Sequence, residues 1–483
     1  MYEQAADSDI DSGKLNLPSL TALVVGSMIG GGIFSLPQNM AASSSAGAII
    51  IAWSITFVGM LALAFVFQNL ANHKPEISGG ISGYARAGFG DFIGFNSAWG
   101  YWVAALIANV SFFVVFFSAL GSFQALAFFG DGNSWQAIAA ASCLLWLIHF
   151  TILRGVQAAA LINTLATIAK VVPILLFIVL TLLAFEARTF YTDFWGDASL
   201  GSVLTQVKGS MLVTVWVFIG IEGAAMFTSR ARDPSHVGRA TVLGFLFTTV
   251  LLVAVSILAL GVMKQPELAQ LKNPSTGGVL AHVTGPWGES LIAIGLVISV
   301  GGALLAWTLL AAEVPYLAAK DGLFPACFAQ RNSQGTPVIS LWVTNGLVQL
   351  CLLLTLYSHA GYLALLLLAT AMVLIPYLLC GAYAWMIAQR RDGYRDNDPS
   401  RRRDLAIGIL ATGYGAWLLY AAGLKYLLLS MILYAPGLVL FAMARRARGN
   451  RAFNRREGVL ASLISMIAAV ALFALEQGLI QLT

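Results

Sequence analysis

The stretch Gly26-Ser27-Met28-Ile29-Gly30-Gly31-Gly32-Ile33-Phe34 puts three consecutive glycines in the middle of an otherwise apolar run that reads as a first membrane-spanning helix. Glycine destabilises a helix interior by about 1 kcal/mol relative to alanine. A bilayer supplies no water to satisfy peptide groups that unwinding would release. A break here therefore needs an occupant. It is either a neighbouring helix packed very closely, which small residues permit, or a polar ligand held by exposed amides and carbonyls at mid-membrane.

The rest of the chain has the composition of a membrane protein. Of 483 residues, 59% are hydrophobic and only 10% charged, with a mean hydropathy of +0.81, far below the roughly 25% charge of soluble domains. Apolar runs of spanning length lie near 17 to 41, 47 to 72, 93 to 122, 135 to 153, 158 to 186, 205 to 228, 238 to 263, 288 to 317, 337 to 357, 361 to 388, 404 to 424, 426 to 446 and 458 to 481. The expectation is thirteen spans. The residues before Lys14 are acidic and polar and lack the basic start of a cleavable signal.

Placing the N-terminus in the cytoplasm puts most of the 27 lysines and arginines on the inside. Only Arg188, Lys264, Lys272 and Lys425 fall outside, while Lys170 and Lys208 lie within or at the edge of spans. The net charge of +5 is thus a topology signal rather than a sign of nucleic-acid binding. The basic loop from Arg390 to Arg403 and the run from Arg445 to Arg456 fit the same rule, with anionic lipid as the other partner they suit. Four scattered cysteines form no CxxC pair, and the five histidines form no cluster, so no metal or other cofactor is expected. No hydrolase or nucleotide-binding motif is present, which argues against an enzyme or an ATP-driven pump.

A second glycine-interrupted helix, Trp216-Val217-Phe218-Ile219-Gly220-Ile221-Glu222-Gly223-Ala224, stands five spans after the first. If spans one to five and six to ten are inverted repeats, the two breaks occupy matching positions, the arrangement that marks a transporter binding site. That favours a ligand over packing at the first break. Unwound amides at Gly30, Gly31 and Gly32 would receive a carboxylate, and carbonyls near Met28, Trp216 and Ile219 would accept from an ammonium. An α-amino acid headgroup supplies both.

Three ionisable residues lie in apolar surroundings, where each is a functional candidate. Glu222 sits at the second break, suited to gating, proton sensing or attraction of a cationic side chain, or else to partnering another helix. Glu313 lies six residues past Trp307, about 9 Å along the helix, close enough to an end for water to reach it. Lys170 is a fixed ammonium in the fifth span. It would stand where a sodium ion otherwise bridges the broken helix, titrate during transport, or snorkel to the surface. Trp216 adjoins a break and Trp307 sits among small residues, so either ring would lie over a cationic substrate.

At these residues the chain resembles the amino acid/polyamine/organocation superfamily, in particular its bacterial basic amino acid and polyamine antiporters. The resemblance covers nearly the whole chain. It rests on GSMIGGGIFSLP from Gly26 to Pro37, WVFIGIEGA from Trp216 to Ala224, and WTLLAAEVPYLAAKDGLFP from Trp307 to Pro325. The flanking Leu20 to Asn39 and Gly88 to Trp102 are similar to arginine/ornithine exchangers within that group.

The resemblance implies an all-α integral membrane fold, a ten-helix inverted-repeat core with the first and sixth helices broken, and one-for-one exchange by alternating access. The core would cover 17 to 388, as repeats 17 to 186 and 205 to 388, after a cytoplasmic tail of residues 1 to 16. A basic loop at 389 to 403 and peripheral helices at 404 to 483 would follow. It further implies Gly31 and Gly32 at a carboxylate, Met28, Trp216 and Ile219 at an amino group, and Asn109 and Trp307 at the side chain. Tyr101, Glu222 and Tyr377 would close over the site. Val217, Glu313 and Lys170 depart from the pattern.

The implied function is uptake of L-arginine against L-ornithine across a bacterial inner membrane, with cationic amino acids and membrane lipid as partners and a homodimer as the arrangement common among relatives. Lysine/cadaverine, arginine/agmatine or histidine/histamine exchange and proton-coupled import share the same fold. A membrane receptor or scaffold with a vestigial site is the expectation from another class.

Overall fold

The computed structural model describes residues 16–77, 80–154, 157–222, 235–358, 361–396 and 398–480. Helices dominate because each satisfies its own backbone within an apolar setting. They are α1 (Leu17–Met28), α2 (Gly32–Ala41), α3 (Ala46–His73), α4 (Gly80–Phe89), α5 (Asp91–Gly121), α6 (Trp135–Leu153), α7 (Gln157–Leu183), α8 (Ala187–Tyr191), α9 (Val203–Trp216) and α10 (Ser235–Leu260). The chain continues through α11 (Gln265–Ala269), α12 (Ser275–Thr284), α13 (Pro286–Lys320), α14 (Val338–Ser358), α15 (Tyr362–Arg390), α16 (Ser400–Ala447) and α17 (Arg455–Glu476). Among the described residues the only strand-like pairing is one isolated bridge between Arg331 and Pro337.

Nine of these helices are long and apolar enough to cross a bilayer, and α1 with α2, bent by 42° at the glycines, makes a tenth. The chain is a multi-pass membrane protein. The expected count of thirteen exceeds this number for three local reasons. The rod α16 runs for 48 residues but holds Gly423 at φ 73°, ψ 167°, where two helices meet. The sixth run ends its helix at Trp216, and its remainder from Gly223 lies outside the described residues. The fifth contributes only a short apolar helix, Lys170–Leu183, to that count. The tail of residues 1 to 15 also lies outside the description.

The core sits around α5, whose most apolar stretch is 89% buried, whereas that of α17 is 17% buried and lies at the periphery. Side-chain hydrogen bonds fix the neighbours of α3: Trp53 Nε1 donates to Ser256 Oγ at 2.8 Å on α10, and the Thr56 and Thr214 hydroxyls meet at 2.7 Å on α9. Across α5, Trp102 Nε1 donates to Thr344 Oγ1 at 3.1 Å and Trp99 Nε1 to the Leu433 carbonyl at 2.8 Å. These polar pairs specify register where lipid provides no hydrophobic driving force between helices.

The rod α16 approaches its neighbours through small residues. Tyr414 lies so close to Gly59 that a Cβ there would stand 2.2 Å from the ring, and Gly408 meets the Trp385 backbone in the same manner. At one face of the molecule the end of α3 is tied to the connection between α15 and α16. There Lys74 Nζ donates to Asp392 Oδ1 at 2.6 Å, and that hydrogen bond is the main cause holding the Lys74 ammonium above its ordinary range.

The contrast between close and open glycines gives a direct check. Gly59→Ala should lower the thermal midpoint of the purified protein by several degrees, since overpacking costs about 1–3 kcal/mol. Gly346→Ala, where nothing lies within 4 Å, should leave it unchanged or raise it.

Candidate functional site

At the first break α1 ends with Ile29 N–H on the Val25 carbonyl at 2.9 Å, and Gly30 N–H turns back to Met28 at 3.0 Å. Gly31 then caps α2 with no side-chain hydrogen bond. The opening amides of α2 therefore receive nothing from a cap, and they form the positive end of that helix. The opposite pole is occupied. Lys170, buried on α7, donates from Nζ to the Gly26 carbonyl at 2.6 Å and the Ile29 carbonyl at 2.8 Å, capping the negative end of α1.

The second break follows α9 as a series of tight turns: Phe218 N–H bonds to Val215, Ile219 to Trp216 and Ile221 to Phe218, each at 3.0–3.1 Å. Gly220 stands at φ 107°, a conformation that favours glycine. Gly223 and Ala224, part of the expected break, lie outside the described residues. The two breaks touch. Ser27 Oγ donates to the Gly220 carbonyl at 3.0 Å, a Cβ on Gly220 would approach the Ser27 carbonyl oxygen to 2.9 Å, and one on Gly32 would stand 3.0 Å from Trp216 and Val217.

A small cavity lies where they meet, lined by Ser27, Met28, Gly30, Gly32, Phe112, Trp216, Val217, Ile219 and Trp307. A second, smaller one adjoins it, sharing Trp216, Ile219 and Trp307 and adding Tyr101, Ala104, Ala105, Ala108 and Val373. The Phe112 ring lies 5.9 Å from that of Trp216 and 6.2 Å from that of Trp307, completing an aromatic wall. Behind it the buried Glu222 carboxylate accepts from the Tyr101 hydroxyl, from the Tyr377 hydroxyl at 2.9 Å and from Gly220 N–H at 3.2 Å. Aromatic faces along the wall with an acid behind them suit a ligand that carries a cationic group.

The family model described as amino acid permease matches residues 15–470. The chain belongs to that family. Curated relatives of this permease include an arginine/ornithine antiporter of Pseudomonas aeruginosa, 52% identical over 98% of this chain and 100% of the relative. A putative arginine/ornithine antiporter of Escherichia coli K12 is 50% identical over 95% of this chain and 98% of its own. An arginine/agmatine antiporter of Chlamydia pneumoniae is 40% identical over 98% and 99%.

Within the permease the remaining candidates separate by position. Gly31 lines neither cavity; a Cβ there would stand 3.1 Å from Val300 and 3.3 Å from Val115, so its face is one of helix packing. Asn109 is buried one turn beyond Ala105, to whose carbonyl its Nδ2 donates at 3.1 Å, and its Oδ1 has no partner among the described residues. Tyr377 stands behind Glu222 rather than at the cavity surface.

Glu313 is away from both cavities. It pairs with Arg331 Nη2 at 2.5 Å, and that guanidinium lies 4.0 Å over the Tyr316 ring. The loop carrying Arg331 also caps α6, through Asn332 Nδ2 on the Leu153 carbonyl at 3.0 Å and Thr336 Oγ1 on Ile152 at 3.2 Å. Glu313, about two turns before the end of α13, thus anchors the loop that carries Arg331. Phe112 was not singled out from the sequence; it is one of 28 phenylalanines, and its only signal is a place three residues after Asn109. Among the described residues no group of three His, Cys, Asp or Glu is placed to hold a metal.

Lys170→Met removes the ammonium and leaves two buried carbonyls without it, at about 1–3 kcal/mol for each unsatisfied group. A clear fall in thermal midpoint is expected, larger than for Lys208→Met, since Lys208 rests on the ring of the exposed Tyr420.

Proposed function

We propose that this permease is a secondary exchanger that takes up L-arginine and releases L-ornithine across a bacterial inner membrane, with its N-terminus in the cytoplasm. The observation that carries the reading is the meeting of both glycine breaks at one aromatic-walled cavity. The names of relatives at 50–52% identity over nearly the full chain support the substrate pair.

In this reading the opening amides of α2, from Gly31 and Gly32 onward, receive the α-carboxylate. The carbonyls of Met28, Trp216 and Ile219 take the α-ammonium, with Gly30 leaving the approach open. The cationic side chain runs along Phe112 and Trp307 toward Asn109. Tyr101, Glu222 and Tyr377 form the acid-centred gate above it, its carboxylate released to the substrate when the tyrosine bonds open. Lys170 holds the end of α1 through its bonds to the Gly26 and Ile29 carbonyls, where a bound sodium would otherwise stand.

The inverted-repeat core, 17 to 186 against 205 to 388, would alternate the access of this one cavity between the two faces. Residues 389 to 403 form its inner basic loop, and 404 to 483 the peripheral helices of a thirteen-span chain. A homodimer within anionic lipid is the assembly this reading adopts. Arginine and ornithine each carry net +1 at neutral pH, so their exchange moves no net charge and the product gradient drives it.

Proteoliposomes loaded with ornithine should accumulate labelled arginine, empty ones should not, and an imposed membrane potential should leave the rate unchanged. Equal uptake into empty vesicles would refute obligate exchange. Acceleration by an inside-negative potential would point instead to net cation import. Trp307→Ala should weaken arginine by about tenfold through lost cation–π contact and packing. Glu222→Ala should abolish exchange while leaving the protein folded.

A further inference from the structure

The connection between α10 and α13, which the sequence reads as an outward loop, folds into α11 and α12. The latter is buried like a core helix, with Ser275, Thr276, Val279 and Leu280 sealed from solvent. Its first residues lie against α2, one turn past the glycine break. There Pro37 lacks an N–H and leaves the Ile33 carbonyl without its intrahelical donor.

Beside that gap two hydroxyls enter the helix. Gln38 N–H donates to Ser275 Oγ at 3.1 Å, and Thr276 Oγ1 donates to the Phe34 carbonyl at 2.9 Å. Phe34 C=O and Gln38 N–H are the two groups that face each other across one turn of an uninterrupted helix. The same connection also reaches α2 through Gln265 Nε2 on the Ala41 carbonyl at 2.6 Å and Asn273 Nδ2 on Gln38 Oε1 at 3.3 Å. Its Asn273 carbonyl accepts from Ser118 Oγ at 2.7 Å on α5. The far side of α2 is thereby braced against the central helix.

We propose that Ser275 and Thr276 are positioning residues of the substrate site. Spliced into the hydrogen-bond ladder of α2, they set the direction in which that helix presents its opening amides, and the connection from α11 to α12 travels with α2 as one body during exchange. The inference rests on the reading that those amides receive the carboxylate. Neither residue lines a cavity, so their influence on substrate passes through α2 alone.

The test compares the full-length wild type with S275A/T276V and with S275T/T276S, which keeps both hydroxyls. The alanine/valine pair should raise the KM for arginine by about fivefold or more with maximal exchange within about twofold of wild type. It should also raise amide deuterium uptake in residues 30 to 41 of the substrate-free protein. The hydroxyl-retaining pair should restore both. A fall in thermal midpoint with KM unchanged would reduce the hydroxyls to a structural role and overturn the proposal, as would unchanged deuterium uptake in 30 to 41. Should the wild type fail to exchange arginine, the function proposed above falls, while the deuterium measurement still decides whether α12 holds α2.

Discussion

A peptide group freed inside a bilayer finds no water, so each interruption of a spanning helix must be answered by another group of the protein or by a ligand. In this permease the carbonyl end of α1 is answered by Lys170, the meeting of the two breaks by Ser27 and Gly220, and the gap at Pro37 by Ser275 and Thr276. The opening amides of α2, which no side chain caps, lie at the end of that helix beside the cavity lined by Gly32, Trp216 and Ile219. In the proposed reading these amides receive the carboxylate of an α-amino acid.

The two buried charges obey the same constraint in different ways. Lys170 is held by two carbonyls and the dipole of α1, whereas Glu222 is held by two tyrosine hydroxyls and an amide. They are not paired with one another. The ammonium is part of the frame that keeps α1 ended where it is. The carboxylate rests on two rotatable hydroxyls.

Much of this was legible in the sequence because it depends on residue types that a bilayer penalises. Three glycines, Gly220 with Glu222, and Lys170 stand out against apolar surroundings, and the helical membrane architecture followed from hydropathy. Other parts were not legible. Gly31 and Gly32 serve close packing as well as any ligand, which only their neighbours Val300, Val115 and Trp216 reveal. Glu313 has the same letter as Glu222 and an equally apolar context, yet its partner Arg331 arrives from a loop whose course sequence spacing does not determine. The helix α12, at ten residues, is too short to register as a span. Phe112 is indistinguishable from lipid-facing phenylalanines until the helix carrying it is rotated into place.

The most direct measurement is an electron cryomicroscopy map of the permease in nanodiscs with saturating L-arginine. The expected density has its carboxylate against the opening turn of α2, its amino group at the carbonyls of Met28, Trp216 and Ile219, and its guanidinium beside Phe112 and Trp307. Arginine bound outside this cavity, or lying with its carboxylate toward Glu222, would contradict the assignment of the glycine breaks as the substrate headgroup site.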